Sequence, residues 1–180
     1  MKKTWFYLLL FVIILSLSYV IYHRYASQME VEQIAEESVE EEVGMIDFLV
    51  YDASGNPVKL SDFEKPRVVN FWASWCPNCV DELPDFEEVC KEYKDQIDFL
   101  FVDLTDGVQE TKESGLSFLA ENKLVLPVYF DTDMDAAINY GIRAIPMTLL
   151  LDKEGIVVAY ARGAIGKDVL QKAIEEYLIP

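Results

Sequence analysis

The chain has 180 residues, and its 32 acidic against 15 basic side chains leave a net charge of −17. That balance excludes a nucleic-acid partner, since no row of cations is present to neutralise successive phosphates. Three cysteines and one histidine, His23, cannot readily supply a four-ligand zinc site or an iron–sulfur cluster, so no metal and no cofactor are expected.

In chain order, Lys2 and Lys3 precede an uncharged run over residues 4–22. At ~1.5 Å per residue it extends roughly 28 Å, about the hydrocarbon thickness of a bilayer. Trp5, Tyr7, Tyr19 and Tyr22 lie near its ends, where amphipathic rings settle at the interface. Residues 1–23 are therefore expected to form a retained transmembrane anchor. The alternative is a cleaved signal peptide, for which Ala26-Ser27 is only a weak cleavage site. The positive-inside rule places the short N-terminus in the cytoplasm and the remainder on the extracytoplasmic side of the cell membrane. Residues 24–44 read as an acidic stalk, with seven glutamates and no basic residue between positions 29 and 43. A docking surface for a partner is the sharper alternative.

A folded domain is expected over residues 45–180. Apolar stretches at 48–51 and 58–60 flank the turn cluster Asp52-Ala53-Ser54-Gly55-Asn56-Pro57, which predicts a β-hairpin. Residues 68–72 read as a buried strand that delivers Trp75-Cys76-Pro77-Asn78-Cys79 to the start of a helix. The first helical turn has unpaired N–H groups and the positive end of the macrodipole, and both favour a thiolate. Cys76 is thus the expected exposed and activated sulfur, with Pro77 at the first helical position and Cys79 as the covered partner. Leu83, Phe86, Cys90 and Tyr93 define one apolar helix face, which makes Cys90 a buried core residue. Pro84 is expected to kink this helix. A second strand over 97–102 completes a βαβ unit with parallel pairing. There follow a helix over 116–122, a short strand over 127–130, a helix over 135–140 and a second hairpin across Asp152-Lys153-Glu154-Gly155. An amphipathic helix over 167–178 closes the chain.

Glu82 shares a helical face with Cys79, and spacing alone describes it as a solvated acid. Pro146 taken alone is a turn or strand-edge proline. A resemblance changes both readings. Asn70-Phe71-Trp72-Ala73-Ser74-Trp75-Cys76, its continuation Cys79-Val80-Asp81-Glu82-Leu83-Pro84, the lead-in Leu60-Ser61-Asp62-Phe63 and Gly141-Ile142-Arg143-Ala144-Ile145-Pro146 together resemble the thioredoxin superfamily. Within it, the chain is similar to the membrane-anchored TlpA/ResA thiol-disulfide oxidoreductases. The resemblance implies an α/β thioredoxin-like fold with a mixed sheet, an N-terminal hairpin and a TlpA-type insertion, preceded by one transmembrane helix. It implies a catalytic role for Cys76 as attacking thiol, Cys79 as resolving thiol and Glu82 as proton carrier. Asn70 stands where cytoplasmic thioredoxins have a buried aspartate. Trp75, Pro77, Ile145 and a cis Pro146 would bind substrate, although Met147 replaces a threonine frequent in relatives. The implied partners are disulfide-containing exported proteins, apocytochrome c among them, and a CcdA/DsbD-like transmembrane electron donor. The rival readings are a disulfide oxidase of the same fold and a non-catalytic binding or chaperone module.

Overall fold

The computed structural model describes residues 15–19 and 45–179. The chain divides into two units, 1–36 and 37–180. In the first, residues 15–19 are helical; the rest of the expected anchor and the stalk lie outside the described residues. Among the described residues no helix is long and apolar enough to cross a membrane.

The second unit carries the fold. Strands β1 (Leu49–Asp52) and β2 (Pro57–Lys59) form the expected hairpin, and a 3₁₀ turn follows at Leu60–Asp62. Strand β3 (Arg67–Trp72) is buried at all six residues, as an apolar run covered on both faces must be. Helix α1 (Pro77–Tyr93) crosses over to β4 (Asp98–Asp103), which pairs with β3 in parallel. Helix α2 (Lys112–Glu121) then leads to β5 (Val128–Phe130), which adds to β4 in parallel and receives β1 antiparallel. Helix α3 (Asp135–Asn139), strands β6 (Met147–Leu151) and β7 (Val157–Arg162), and helix α4 (Lys167–Tyr177) complete the unit. The result is a seven-stranded mixed sheet in the order β2-β1-β5-β4-β3-β6-β7.

Alternation of side chains divides the sheet into two faces. Val69, Phe71, Leu100, Val102, Leu149 and Leu151 form one face, buried with Phe48 and Val50 of the hairpin segment, Leu60 of the 3₁₀ turn and Ala136 of α3. The opposite face carries Asn70, Trp72, Phe101, Asp103 and Thr148, and is covered by α1 and α2. Phe86 of α1 meets Phe101 edge-on at 6.1 Å, and Phe118 of α2 lies 6.0 Å from Trp72. Helix α4 is tied to α1 by Lys167–Glu88 at 2.9 Å and by the Tyr93 hydroxyl donating to Glu175 at 2.9 Å.

Helix α1 runs from Pro77 to Tyr93 with Pro84 inside it, on its exposed side. Two expectations need correction. Cys90 is half-buried; Val89 takes the fully buried place, because the helix presents Cys79, Glu82, Leu83, Phe86, Val89 and Tyr93 to the sheet. Burial, then the charge of Glu87, pushes the Cys90 thiol up, with Lys91 pulling the other way. Helix α2 begins at Lys112, one turn earlier than its apolar residues suggest. Thr111 caps it: its side chain accepts from the Ser114 N–H at 3.1 Å while the Ser114 hydroxyl accepts from the Thr111 N–H at 2.8 Å. This reciprocal cap has Ser where the usual pattern has Glu or Gln. A further feature is Arg67, 2% exposed on β3, whose guanidinium donates to the carbonyl oxygens of Phe63, Asp152 and Lys153.

Gly115 in α2 is set by contact rather than by backbone angle. A Cβ there would stand 2.0 Å from Oδ2 of Asp103. Alanine normally stabilises a helix by about 1 kcal/mol over glycine. Here Gly115→Ala is expected to destabilise by about 1–3 kcal/mol through overpacking, read by urea unfolding. Adding Asp103→Ala should recover most of that loss.

Candidate active site

The site forms where β3 ends and α1 begins. Cys76 is the N-cap residue of α1 with extended backbone (φ −89°, ψ 109°), and Pro77 occupies the first turn, where its missing N–H costs nothing. The Cys79 N–H donates to Cys76 Sγ at 3.3 Å, so the helix terminus points an unpaired donor at the sulfur. No acidic residue occupies the first turn to oppose a thiolate there. Cys76 and Cys79 form a disulfide with Cα atoms 5.3 Å apart, within the usual range for such a bridge. Cys79 is fully buried. Cys76 is more covered than the sequence suggests, at 5% exposure, because the chain before Pro146 folds over it. The carbonyl oxygen of Ile145 lies 3.8 Å from its Sγ.

That covering segment turns on a cis Ile145–Pro146 peptide bond. Pro146 is buried, whereas Ile145 lines a cleft of about 540 Å³ together with Trp75, Cys76, Pro77, Ile142 and Arg143. Trp75 is 47% exposed and forms the rim. The cleft therefore brings together all the predicted substrate-side residues except Pro146, which backs it. Its mostly apolar lining offers a trough to an extended chain, with Cys76 among the lining residues.

Beneath the disulfide lies a polar network that spacing alone does not disclose. Glu82 is 4% exposed, three residues after Cys79 on the sheet-facing side of α1. Its Oε1 accepts from Asn70 Nδ2 at 2.8 Å, and its Oε2 accepts from the Ile165 N–H at 2.9 Å. Burial pushes Glu82 up to about 7, against the opposing pull of the Ile165 and Asn70 hydrogen bonds. The solvated acid that spacing describes is thus a buried carboxyl poised near neutrality. Asn70 also bonds Thr148 Oγ1 at 3.0 Å, while its own Oδ1 has no partner. Thr148 and the Ile165 amide come from β6 and the β7–α4 loop, far away in sequence, and no local pattern marks them. Among the described residues no group of side chains is arranged to hold a metal ion.

A dithiol or disulfide at a helix N-terminus, a carboxyl titrating near neutrality one turn behind it and an apolar cleft in front can carry thiol–disulfide exchange. Comparisons with known proteins agree. Residues 43–160 match the model of the AhpC/TSA family. The thiol-disulfide oxidoreductase ResA of Bacillus cereus is 29% identical over 165 residues, which cover 91% of this chain and 87% of that protein. ResA of Geobacillus kaustophilus is 31% identical over 131 residues, covering 72% and 73%. Among solved structures, the exposed lipoprotein thioredoxin Etrx1 of Streptococcus pneumoniae matches with a TM-score of 0.62 and 32% identity, over 73% of this chain and 99% of that one. The chain belongs to the AhpC/TSA family and is a thioredoxin-like thiol-disulfide oxidoreductase.

Proposed function

We propose that this protein reduces disulfides of exported proteins on the extracytoplasmic side of the cell membrane. In this reading residues 1–23 anchor it, 24–44 form a stalk, and 45–180 carry the reaction. The segment α2–β5 is the insertion that marks the TlpA/ResA branch. The observation that carries the reading is the buried Glu82 carboxyl one helical turn behind Cys79, beneath a cleft that opens on Cys76.

The Cys76 thiolate attacks one sulfur of a client disulfide lying along Ile145, with Trp75, Pro77 and Pro146 shaping the trough. The client S–S bond breaks, a mixed disulfide forms on Cys76, and the first client thiol departs. Glu82 takes the proton of Cys79, whose thiolate attacks Cys76 Sγ. That step closes the Cys76–Cys79 disulfide and releases the second client thiol. Two electrons have passed to the client, and a CcdA/DsbD-like transmembrane donor returns the pair to the dithiol. Apocytochrome c is one client of suitable chemistry.

Replacing Cys79 by serine removes the resolving thiol and should accumulate mixed disulfides on Cys76. Expressed in its native membrane and read by mass spectrometry, this variant identifies the clients. Absence of any trapped protein would favour a binding module without turnover. Direction follows from the reduction potential of the pair, where a value near about −270 mV suits a reductant and one near about −120 mV an oxidant.

A further inference from the structure

Two further buried carboxyls lie near the redox loop, and the exchange steps above make no use of them. Asp103 at the end of β4 and Glu110 in the following loop are both 0% exposed. Glu110 grips the loop that carries Cys76. Its Oε2 accepts from the Ser74 N–H at 2.9 Å, both of its oxygens lie within 3.0 Å of the Ser74 hydroxyl, and the Ser114 hydroxyl is 2.7 Å from Oε1. Its own main chain is pinned, the N–H donating to Asp106 Oδ1 at 2.9 Å and the carbonyl accepting from Gly107 at 2.9 Å. Ser74 lies between fully buried Ala73 and the rim residue Trp75, and the Cys76 N–H turns back to the Ala73 carbonyl at 3.2 Å.

Asp103 is the opposite case, since neither of its carboxyl oxygens has a hydrogen-bond partner among the described residues. Around it stand Trp72, its register partner on β3, whose indole N–H is also without a partner, then Gly115 of α2 and Phe130 of β5. Thr105 donates to the Asp103 main-chain carbonyl. Among the described residues, the charged group that bears on it is Glu110. Lys112 instead directs its Nζ to the Asp52 carbonyl oxygen at 3.3 Å and over the Phe130 ring. Two buried carboxyls that feel one another resist ionising together. Glu110 is served by one N–H and two hydroxyls, and the Asp103 carboxyl by neither. Burial first, then the charge of Glu110, pushes Asp103 up to about 8, and the Thr105 hydroxyl offsets part of this.

We propose that Glu110 is a positioning residue for Cys76, fixing the redox loop through Ser74 only while the neighbouring Asp103 carboxyl is uncharged. Strand β4 is locked between β3 and β5, so repulsion from an ionised Asp103 is relieved by the exposed loop around Val108. The Ser74 grip is what loosens. The inference rests on Cys76 being the attacking thiol.

The test uses the reduced full-length protein and the uncharged probe 4,4′-dithiodipyridine, with single-turnover rates from pH 5 to 9.5. The wild-type rate should climb as the thiolate forms and then fall about fivefold above pH 8. Asp103→Asn should abolish that fall without slowing the reaction at pH 6. Glu110→Gln and Ser74→Ala should each slow the reaction about tenfold at pH 7. Ser74→Ala leaves Glu110 and its other donors in place, which guards against loss of fold. An unchanged alkaline limb in Asp103→Asn, or wild-type rates in Ser74→Ala and Glu110→Gln, overturns the proposal. Cys79→Ser checks the underlying reading separately: if Cys76 attacks first, the initial rate persists in that variant.

Discussion

Replacing Cys76 by serine is expected to abolish disulfide exchange, with turnover falling by about 10⁴-fold or more. The reason is geometric. Cys79 is fully buried behind Cys76, so no second sulfur can meet a client from the cleft. The substitution also removes the cross-link from the oxidised form. Closing a loop of four residues restricts the unfolded chain by about 2 kcal/mol, so the oxidised wild type should exceed the variant in stability by that amount. The insulin-reduction assay checks the first outcome and urea unfolding under oxidising conditions the second. Residual turnover within tenfold of wild type would show that Cys79 reaches clients directly.

Glu82→Gln should produce the other large effect, and it acts on rate and stability in opposite directions. General base catalysis contributes about 10²–10⁴-fold, so resolution of the mixed disulfide at pH 7 should slow by about 100-fold. Alkylation of Cys76 should be unaffected. For stability, burial holds Glu82 at about 7 in the folded protein against its ordinary value of 4.5. The folded protein therefore binds more protons than the unfolded chain between those values, and stability falls as pH rises through that window. Below about pH 4.5 the penalty is absent; above about pH 7 it is complete, at roughly 3 kcal/mol. Glutamine removes this penalty. Its amide is accommodated if Asn70 flips, since the unpaired Asn70 Oδ1 can then accept the new N–H while Thr148 donates to the same oxygen. Denaturant unfolding at pH 5 and pH 8 should show wild type losing roughly 3 kcal/mol more than the variant across that interval, since the loss due to Asp103 is common to both. Parallel curves for the two proteins would mean that Glu82 does not titrate where its burial places it.

Much of the fold is legible along the chain because its elements announce themselves locally. The apolar runs that became β3, β4 and β6 are strands because they are covered on both sides. The two hairpins follow from Asp52–Pro57 and Asp152–Gly155, whose short polar turns carry a glycine at positive φ. Apolar spacing does not mark the start of α2, because its cap is made by two hydroxyls, Thr111 and Ser114, whose reciprocal bonds are a weaker signal. Within the site, the cysteine pair and its helix are written in consecutive residues.

What the amino-acid order determined by itself is the reactive device: Trp75 to Cys79 set between a buried strand and a helix N-terminus, where covalent neighbours and one turn of backbone suffice. Tertiary structure alone decided the protonation landscape around it. Glu82, Asp103 and Glu110 are ordinary acids in a chain of 32, and only packing separates them from water. Desolvation depends on what covers a group, and the covering atoms here come from Thr148, Ile165, Gly115 and Ser74, brought together by the sheet rather than by sequence.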